Sequence, residues 1–472
     1  MLGPHARRSP DGLPRVGREA VVLGAGMAGL LAAAVLAEVF DHVTVVERDR
    51  LPPDAAPRRG VPQGRHVHVL LSRGAKAIDE LLPGLLAELT RDGGVTVANL
   101  NRMSLEFGGH LLCQDDAESD PTHLQTRPFL EGHVLRRVRA LPRVTTLDGH
   151  DVGDLLWDRT GGRVVGTTVV PRSSPGEPRR VSADLVVAAT GRSGRVGAWL
   201  KQHGYDEPAE EQLAIDLVYV SRLVRMDRAL TGGWDAVVVS ANPERPTGVA
   251  ALRQEDDLWV VTVEGFAGHH PPTDPAAWLE MAARLAPPAF APAIRGAVMV
   301  TDISAHRFPA NLWRRFDKLD RFPEGLLVTG DAVCSFNPVY GQGMTVAALE
   351  ALALRDSLRA GTRDLPTRFF KRAAKPVRLA WQSAVGGDLS MPPEVVPGPR
   401  PLPVRAVNAY LDHYLEAAEH DAEMAWSFLK VTGFDEPTRA LFTPHALRRI
   451  AASRRHGAEE PALVGAQGQG RG

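Results

Sequence analysis

Ala20-Val21-Val22-Leu23-Gly24-Ala25-Gly26-Met27-Ala28-Gly29 is the stretch that decides the fold. Its four leading apolar residues read as a buried parallel strand, and the glycines at 24, 26 and 29 follow at G-x-G-x-x-G spacing. Each glycine has its own task in such a unit. Gly24 permits the tight turn, Gly26 lets the backbone approach a pyrophosphate, and Gly29 lets the following helix pack close to the strand. That helix runs through Leu30 to Glu38 and is rich in alanine and leucine, which are strong helix formers. Its first turn, with Met27 and Ala28, offers free N–H groups and the positive end of the helix dipole to phosphate. A second strand, His42 to Val46, ends at Glu47, roughly 20 residues on, where an acidic residue takes ribose hydroxyls. Arg48 follows it, placed either to reach the adenosine or to lie in solvent. Strand, turn, helix, strand and acid together point to dinucleotide binding.

Outward from this start the chain changes texture twice. Residues 18–196 continue the nucleotide-binding domain. Within them, 95–125 holds hairpin strands around Gly108-Gly109 that are expected to join a neighbouring sheet, Pro128 marks the first turn of a helix opened by Arg127, and Thr160-Gly161-Gly162 is a hairpin turn. Residues 197–322 carry long strands (Ile215 to Val224, Ala236 to Ser240, Leu258 to Val263) that read as one antiparallel sheet. Parallel texture returns with Leu326-Leu327-Val328-Thr329, so 323–362 is assigned to the first domain, and 363–456 is mostly helical. The expected class is α/β: a discontinuous Rossmann-like domain, an inserted antiparallel-sheet substrate domain (197–322) and a helical C-terminal segment. Residues 1–17 and 457–472 read as loose tails.

Composition narrows the function. The 472 residues are 44% hydrophobic, enough for two or three cored domains. Lys+Arg number 55 against 56 Asp+Glu, so no charge footprint points to nucleic acid. Cys113 and Cys334 are too few for a zinc site or a disulfide framework and read as small buried residues. No apolar run reaches about 18 residues, so no integral membrane segment is expected. The first residues lack the apolar core of a signal peptide, which makes the cytoplasm the expected location. The chain has no Gly-x-Ser-x-Gly elbow and no P-loop. Arg136-Arg137 and Arg314-Arg315 read as solvated helix faces, and His269-His270 as an exposed loop.

A second glycine-bearing run lies far downstream: Leu326-Leu-Val-Thr-Gly330-Asp331-Ala-Val-Cys-Ser-Phe-Asn337-Pro338-Val-Tyr340-Gly341-Gln342-Gly343-Met344. With the first motif it resembles the FAD-dependent monooxygenases of the para-hydroxybenzoate hydroxylase fold, the class A flavoprotein monooxygenases, over roughly residues 20–450. That resemblance implies FAD as cofactor, Asp331 on its ribityl chain, and Pro338 with the Gly341-Gln342-Gly343-Met344 turn against its ring. The run Gly60-Val-Pro-Gln-Gly-Arg65-His66-Val-His68 is similar to an actinobacterial branch that includes polyether-type polyene epoxidases, related more distantly to squalene epoxidase. By the same resemblance Arg127 meets the cofactor. Arg65 suits its phosphate or ribityl chain, because a guanidinium binds anions bidentately.

The residues support this independently. Gly341 and Gly343 form a turn that brings backbone close to a ligand. The helix opening at Met344 aims its N-terminal dipole where a reduced flavin would carry negative charge. His66 and His68 alternate on an extended segment, but no further ligands complete a metal site, so none is expected. His66, His68, Asn337, Pro338, Tyr340 and Gln342 are the candidates for the flavin face, and no catalytic side chain is singled out.

The resemblance implies insertion of one atom of O2 into a lipophilic polyene, terpenoid or polyketide, most simply alkene epoxidation through a flavin C4a-hydroperoxide, in secondary metabolism such as antibiotic biosynthesis. An aromatic hydroxylase, a prenyl-chain reductase and a redox-silent flavin cyclase are the alternatives. Many relatives carry an Asp-Gly pair linked to NAD(P)H use, whereas this chain reads Ala189-Thr190-Gly191-Arg192. NAD(P)H is therefore expected to act either directly or through a separate flavin reductase.

Overall fold

Apolar runs buried on both faces build the sheet that carries the first motif. In the computed structural model, which describes residues 15–52, 56–115, 118–173 and 176–459, five parallel strands assemble: β1 (Gly17–Leu23), β2 (Phe40–Val46), β3 (Val144–Leu147), β4 (Leu185–Ala188) and β5 (Leu326–Val328), in the order β5-β4-β1-β2-β3. The register pairs Val22 with Val45 on one side and with Val187 on the other, and Val187 in turn with Leu327. Val22, Val45, Val187 and Leu327 are all fully buried. Such layering is how a parallel sheet covered on both sides is stabilised. Three helices matter most here: α1 (Met27–Val39), α2 (Arg127–Arg139) and α3 (Gly343–Arg359). Helix α1 packs against β2, α2 and α3.

The chain divides into two compact units, one from residues 1–95, 123–215 and 308–385, the other from 96–122, 216–307 and 386–472. The divisions cut through the strands Glu210–Arg225 and Ser304–Arg314, which run from one unit into the other. The helix Leu365–Asp388, expected in the C-terminal segment, lies almost wholly in the first unit. Arg15 and Gly17, expected in a loose tail, are structured: Arg15 donates to Phe40 O at 2.6 Å and Gly17 opens β1. Residues 1–14 and 460–472 lie outside the described residues.

In the second unit, strand Thr247–Arg253 sits between Ala236–Val239 and Trp259–Gly265, both antiparallel to it, and Met103–Phe107 extends the sheet parallel to Ala236–Val239. One face, including Val220, Val249, Val261 and Val263, packs on the helices Pro275–Leu285 and Ala291–Arg295 through Trp278 and Phe290. Trp278 Nε1, fully buried, donates to Val220 O at 3.0 Å, so its polar atom is satisfied. The other face carries a Ser221–Thr262 hydroxyl pair at 2.6 Å and Tyr219 stacked on His306.

Arg314 and Arg315 correct the sequence reading. Arg314 ends a strand and Arg315 follows it, so neither faces solvent on a helix. Arg314 pairs with Glu210 at 2.9 Å, and Arg315 pairs with Asp317 at 2.9 Å while lying 3.9 Å over the Trp313 ring. The pattern misled because the partners lie a hundred residues upstream or on the following turn. Cys334 is buried and Cys113 partly exposed, and both are free thiols. Among the described residues, no helix is long and apolar enough to cross a membrane.

Candidate flavin-binding site

The three glycines of the first motif divide into two kinds. Gly24 has φ +106° and donates to Val46 O at 2.8 Å, and a Cβ there would overlap Ala189 O. A Cβ on Gly29 would overlap Gly24 O. Both glycines are required by the protein's own packing. Gly26 has an ordinary φ of −74°, and a Cβ there would meet nothing within 4 Å. It borders open space at the N-terminus of α1, where Leu30 N closes the first helical bond to Gly26 O at 2.9 Å. The N–H groups of Met27, Ala28 and Gly29 are left without helical acceptors.

Glu47 directly follows β2 and turns inward, 6% exposed. Its Oε2 accepts from Ala25 N at 2.7 Å and lies 3.1 Å from Arg58 Nη1, while Oε1 accepts from Asp49 N at 3.0 Å. Arg58 also donates to Ala25 O at 2.7 Å and reaches Glu131 on α2 at 3.5 Å. The glycine-rich turn is thus held from both its N–H and its carbonyl by one ion pair. A carboxylate has about four lone-pair sites, so Glu47 retains acceptor capacity for a ribose hydroxyl. Arg48, by contrast, is exposed, with its Nε 4.0 Å from Asp49. A cleft of about 440 Å³ opens beside this turn, lined by Ala25, Leu51, Arg58, Pro128, Phe129 and Arg136 among others.

The second motif meets the first directly. Gly330 has φ +68°, and a Cβ there would come 2.6 Å from Ala28 Cβ, so glycine is what lets this turn lie on the start of α1. Burial raises the Asp331 carboxyl above its usual range, and Arg127 and Arg192 oppose that rise. Asn337 is buried: its N–H donates to Asn311 Oδ1 at 2.5 Å, and its own Oδ1 accepts from Val339 N at 3.1 Å, capping the Pro338–Tyr340 turn. Pro338 is exposed. Gly341, at φ +64°, then leads into α3, where Gly343 again has no atom within 4 Å of a Cβ and Met344 is buried. Gln342 donates to Ser383 Oγ at 3.2 Å, while its Oε1 has no partner.

The arginines and histidines separate. Arg65 is exposed on the 3-10 turn Pro62–Arg65. Arg127 is 7% exposed at the first turn of α2, which Thr126 caps through Phe129 N, and its Nη2 reaches Glu131 at 3.4 Å. His66 is buried. His68 Nδ1 donates to His66 O at 3.0 Å, and burial, together with Arg127, drives its pKa down to about 3. It is a neutral imidazole at physiological pH. Neither histidine belongs to a metal-competent cluster. Among the described residues that cluster is Glu88, Asp92 and His133, where Glu88 is already bound by Arg137 Nε at 2.6 Å and His133 Nδ1 at 2.8 Å.

Four residues escaped the sequence reading: Arg58, Arg192, Asn311 and Glu350. Arg192 lies 4.9 Å over Phe308 and acts electrostatically on Asp331. Glu350, in the middle of α3, is fully buried and receives Gly330 N at 2.6 Å. Its one sequence signal was an acid on an otherwise apolar helix face.

The arrangement fits a flavin dinucleotide. Gly26 and Gly343 both border open space that a ligand could fill. Buried polar atoms without protein partners include Arg127 Nε at the start of α2, Thr190 Oγ1 and Arg192 Nη1 after β4, and Gln342 Oε1 before α3. A protein-family model described as an FAD binding domain matches residues 18–364. The chain belongs to that family. It is an FAD-dependent monooxygenase of the class A type. It is 37% identical over 421 residues to Protein Rv3254 of Mycobacterium tuberculosis, covering 87% of this chain and 88% of that one. It is also 28% identical to a kynurenine 3-monooxygenase of Salinispora tropica, over 75% of this chain and 76% of that one. The fold matches p-nitrophenol 4-monooxygenase PnpA of Pseudomonas putida with a TM-score of 0.64 and 19% identity, covering 88% and 97% of the two chains.

Proposed function

We propose that this monooxygenase transfers one atom of O2 to a lipophilic natural-product substrate, with alkene epoxidation as the reaction. The observation that carries this reading is the chemistry of the candidate flavin face. Asn337, Pro338, Tyr340, Gln342, His66 and His68 include no carboxylate, and His68, at a pKa of about 3, is a poor base. Hydroxylation of a phenol benefits from a group that removes the phenolic proton. Electrophilic oxygen transfer to an alkene needs none, which suits a face without a carboxylate on which His68 is held neutral.

The bound flavin supplies the redox chemistry. The protein's residues bind and orient it. The α1 N-terminus and Gly26 would receive the pyrophosphate, Glu47 the ribose, and Asp331 the ribityl chain. Arg127 and Arg192 would hold the charge of Asp331. Gly341, Gly343 and Met344 would bring the N-terminus of α3 to the ring, where fixed dipoles stabilise negative charge without reorganising. Electrons come from NAD(P)H, directly or through a separate flavin reductase.

A second reading, ring hydroxylation, draws on the similarity to kynurenine 3-monooxygenase. One experiment separates the readings. The FAD-loaded enzyme, with a reductant, is given isotopically labelled dioxygen and either a linear polyene or a phenol. One labelled atom in an epoxide supports the proposal, one in a hydroxylated ring supports the second reading, and product formed without dioxygen refutes both.

A further inference from the structure

Glu350 is a buried acid that the monooxygenase reading leaves without a task. It is 0% exposed and stands on α3 beneath the turn that follows β5. Its hydrogen bonding is lopsided. Oε2 accepts from Thr329 Oγ1 at 2.8 Å and from Gly330 N at 2.6 Å, whereas Oε1 has no partner. An ionised carboxylate would leave half its charge buried and unsolvated, a costly arrangement. The neutral acid is the less costly form: a carbonyl oxygen has two lone pairs for the two donors, and the other oxygen carries an unpaired O–H in place of a buried charge.

We propose that Glu350 is a positioning residue for the flavin: as a neutral acid it clamps Thr329 and Gly330 from below and leaves the negative charge of the turn to Asp331. The clamp has consequences for the cofactor because Gly330 has nowhere else to go. Its left-handed backbone lies against Ala28 in the first turn of α1, so the Thr329–Gly330 contacts set how the second motif meets the first.

The surroundings support a proton held on Glu350. Burial pushes its pKa up to about 8, and the nearby Asp331 adds to the rise. Cys334, the other ionisable group acting with it, is buried and its thiol is pushed well above its usual value. Helix α1 carries one charged residue, Glu38, at its far end. On the helix Ser72–Leu81, which packs against α3, Asp79 accepts from Leu86 N and Glu80 pairs with Arg355, with Arg73 and Lys76 completing its charges. Asp331 itself faces Arg127 and Arg192. On the helix Leu365–Asp388, Arg368 and Arg372 reach α3 at Ser357, two turns beyond Glu350. None of these cations is paired with Glu350 among the described residues, and ionising it would set a second negative charge beside Asp331.

The inference rests on FAD occupying this site, and the test separates the two. Full-length apoprotein is titrated with FAD from about pH 6.5 to 9.5, following flavin fluorescence, for the wild type, Glu350→Gln and Glu350→Ala. Wild-type affinity is expected to hold up to about pH 8 and then to fall by up to about tenfold per pH unit. Glu350→Gln keeps a carbonyl for both donors and cannot ionise, so it should bind FAD near the wild-type level at neutral pH and stay flat above it. Glu350→Ala should bind weakly at every pH. A flat wild-type profile overturns the proposal, as does a Gln variant that follows the wild-type slope or that binds as poorly as Ala at neutral pH. If the variants do not fold, the wild type alone decides: calorimetry in two buffers of different ionisation enthalpy must show proton uptake on FAD binding near pH 8.5, and none refutes the inference. Failure of the wild type to bind FAD at neutral pH would instead overturn the flavin site itself.

Discussion

Adding one methyl group at Gly26 separates what the first motif does for the fold from what it does for the cofactor. Gly26 has a backbone conformation open to any residue and an empty neighbourhood. Gly26→Ala should therefore change the stability of the apoprotein by no more than about 1 kcal/mol: restricting the unfolded chain favours it by about 0.4–1 kcal/mol, and replacing glycine at the N-cap of α1 by the less suited alanine offsets that. In a unit of this size that moves the unfolding temperature by at most about 4 °C. The same methyl occupies the place where a pyrophosphate approaches the α1 N-terminus. A hydrogen bond to a charged group contributes about 1.5–3 kcal/mol. Losing one such bond weakens FAD binding roughly 10- to 150-fold. Gly29→Ala is the control with the opposite signature, since its Cβ overlaps Gly24 O and lies 2.9 Å from the Gly24 carbonyl carbon. Strand and helix must then separate, at a cost of about 1–3 kcal/mol or more, visible as a lower unfolding temperature without any cofactor present. Thermal unfolding of both apoproteins, with FAD titrations followed by fluorescence, reads both quantities. The reasoning is refuted if Gly26→Ala binds FAD as the wild type does, or if its apoprotein is destabilised as Gly29→Ala is.

Three further expectations follow from the same geometry. Arg58→Met leaves the buried Glu47 carboxylate without its cation, while Glu131 keeps Arg127, and should destabilise the apoprotein by about 3–5 kcal/mol; a loss under about 1 kcal/mol in chemical denaturation would remove the clamp role. Asp331→Ala should purify pale, because the ribityl contact is gone, and full flavin occupancy by absorbance would reject that role. His68 has a folded pKa of about 3, below the ~6.5 of an unfolded histidine, so the unfolded chain binds a proton that the folded chain refuses. Its contribution to stability is complete above about pH 6.5 and declines as the pH falls toward 3, by up to about 1.4 kcal/mol per unit. Denaturation of wild type and His68→Leu between pH 7 and 4 should give a shallower slope for the variant, and parallel slopes would assign the acid sensitivity elsewhere.

The split between Gly26 and Glu350 also explains which parts of the molecule could be read from the chain. The parallel sheet, α1 and the paired glycine motifs were legible because their causes are local: a buried apolar run, a helix former, a glycine at a turn. Gly26 is of this kind, since its meaning lies in what its own backbone leaves open. The arginines were not legible, because a guanidinium is assigned by its partner rather than by its neighbours in sequence. Arg48 and Arg65 stand beside motif residues and are exposed. Arg58 and Arg192, unremarkable in sequence, are the ones that reach Glu47 and act on Asp331. Arg314 and Arg315 misled for the same reason, their strand-end packing being set by Glu210, Trp313 and Asp317. Glu350 is the limiting case. On a helix read for its apolar face a glutamate counts as a defect, and only the closure of α3 onto the turn after β5 turns it into an acceptor for Gly330 N. A buried acid with two donors on one oxygen and none on the other is informative because the cost of burial excludes indifference, and here one of those donors, Gly330 N, is next in the chain to the aspartate that the flavin motif presents.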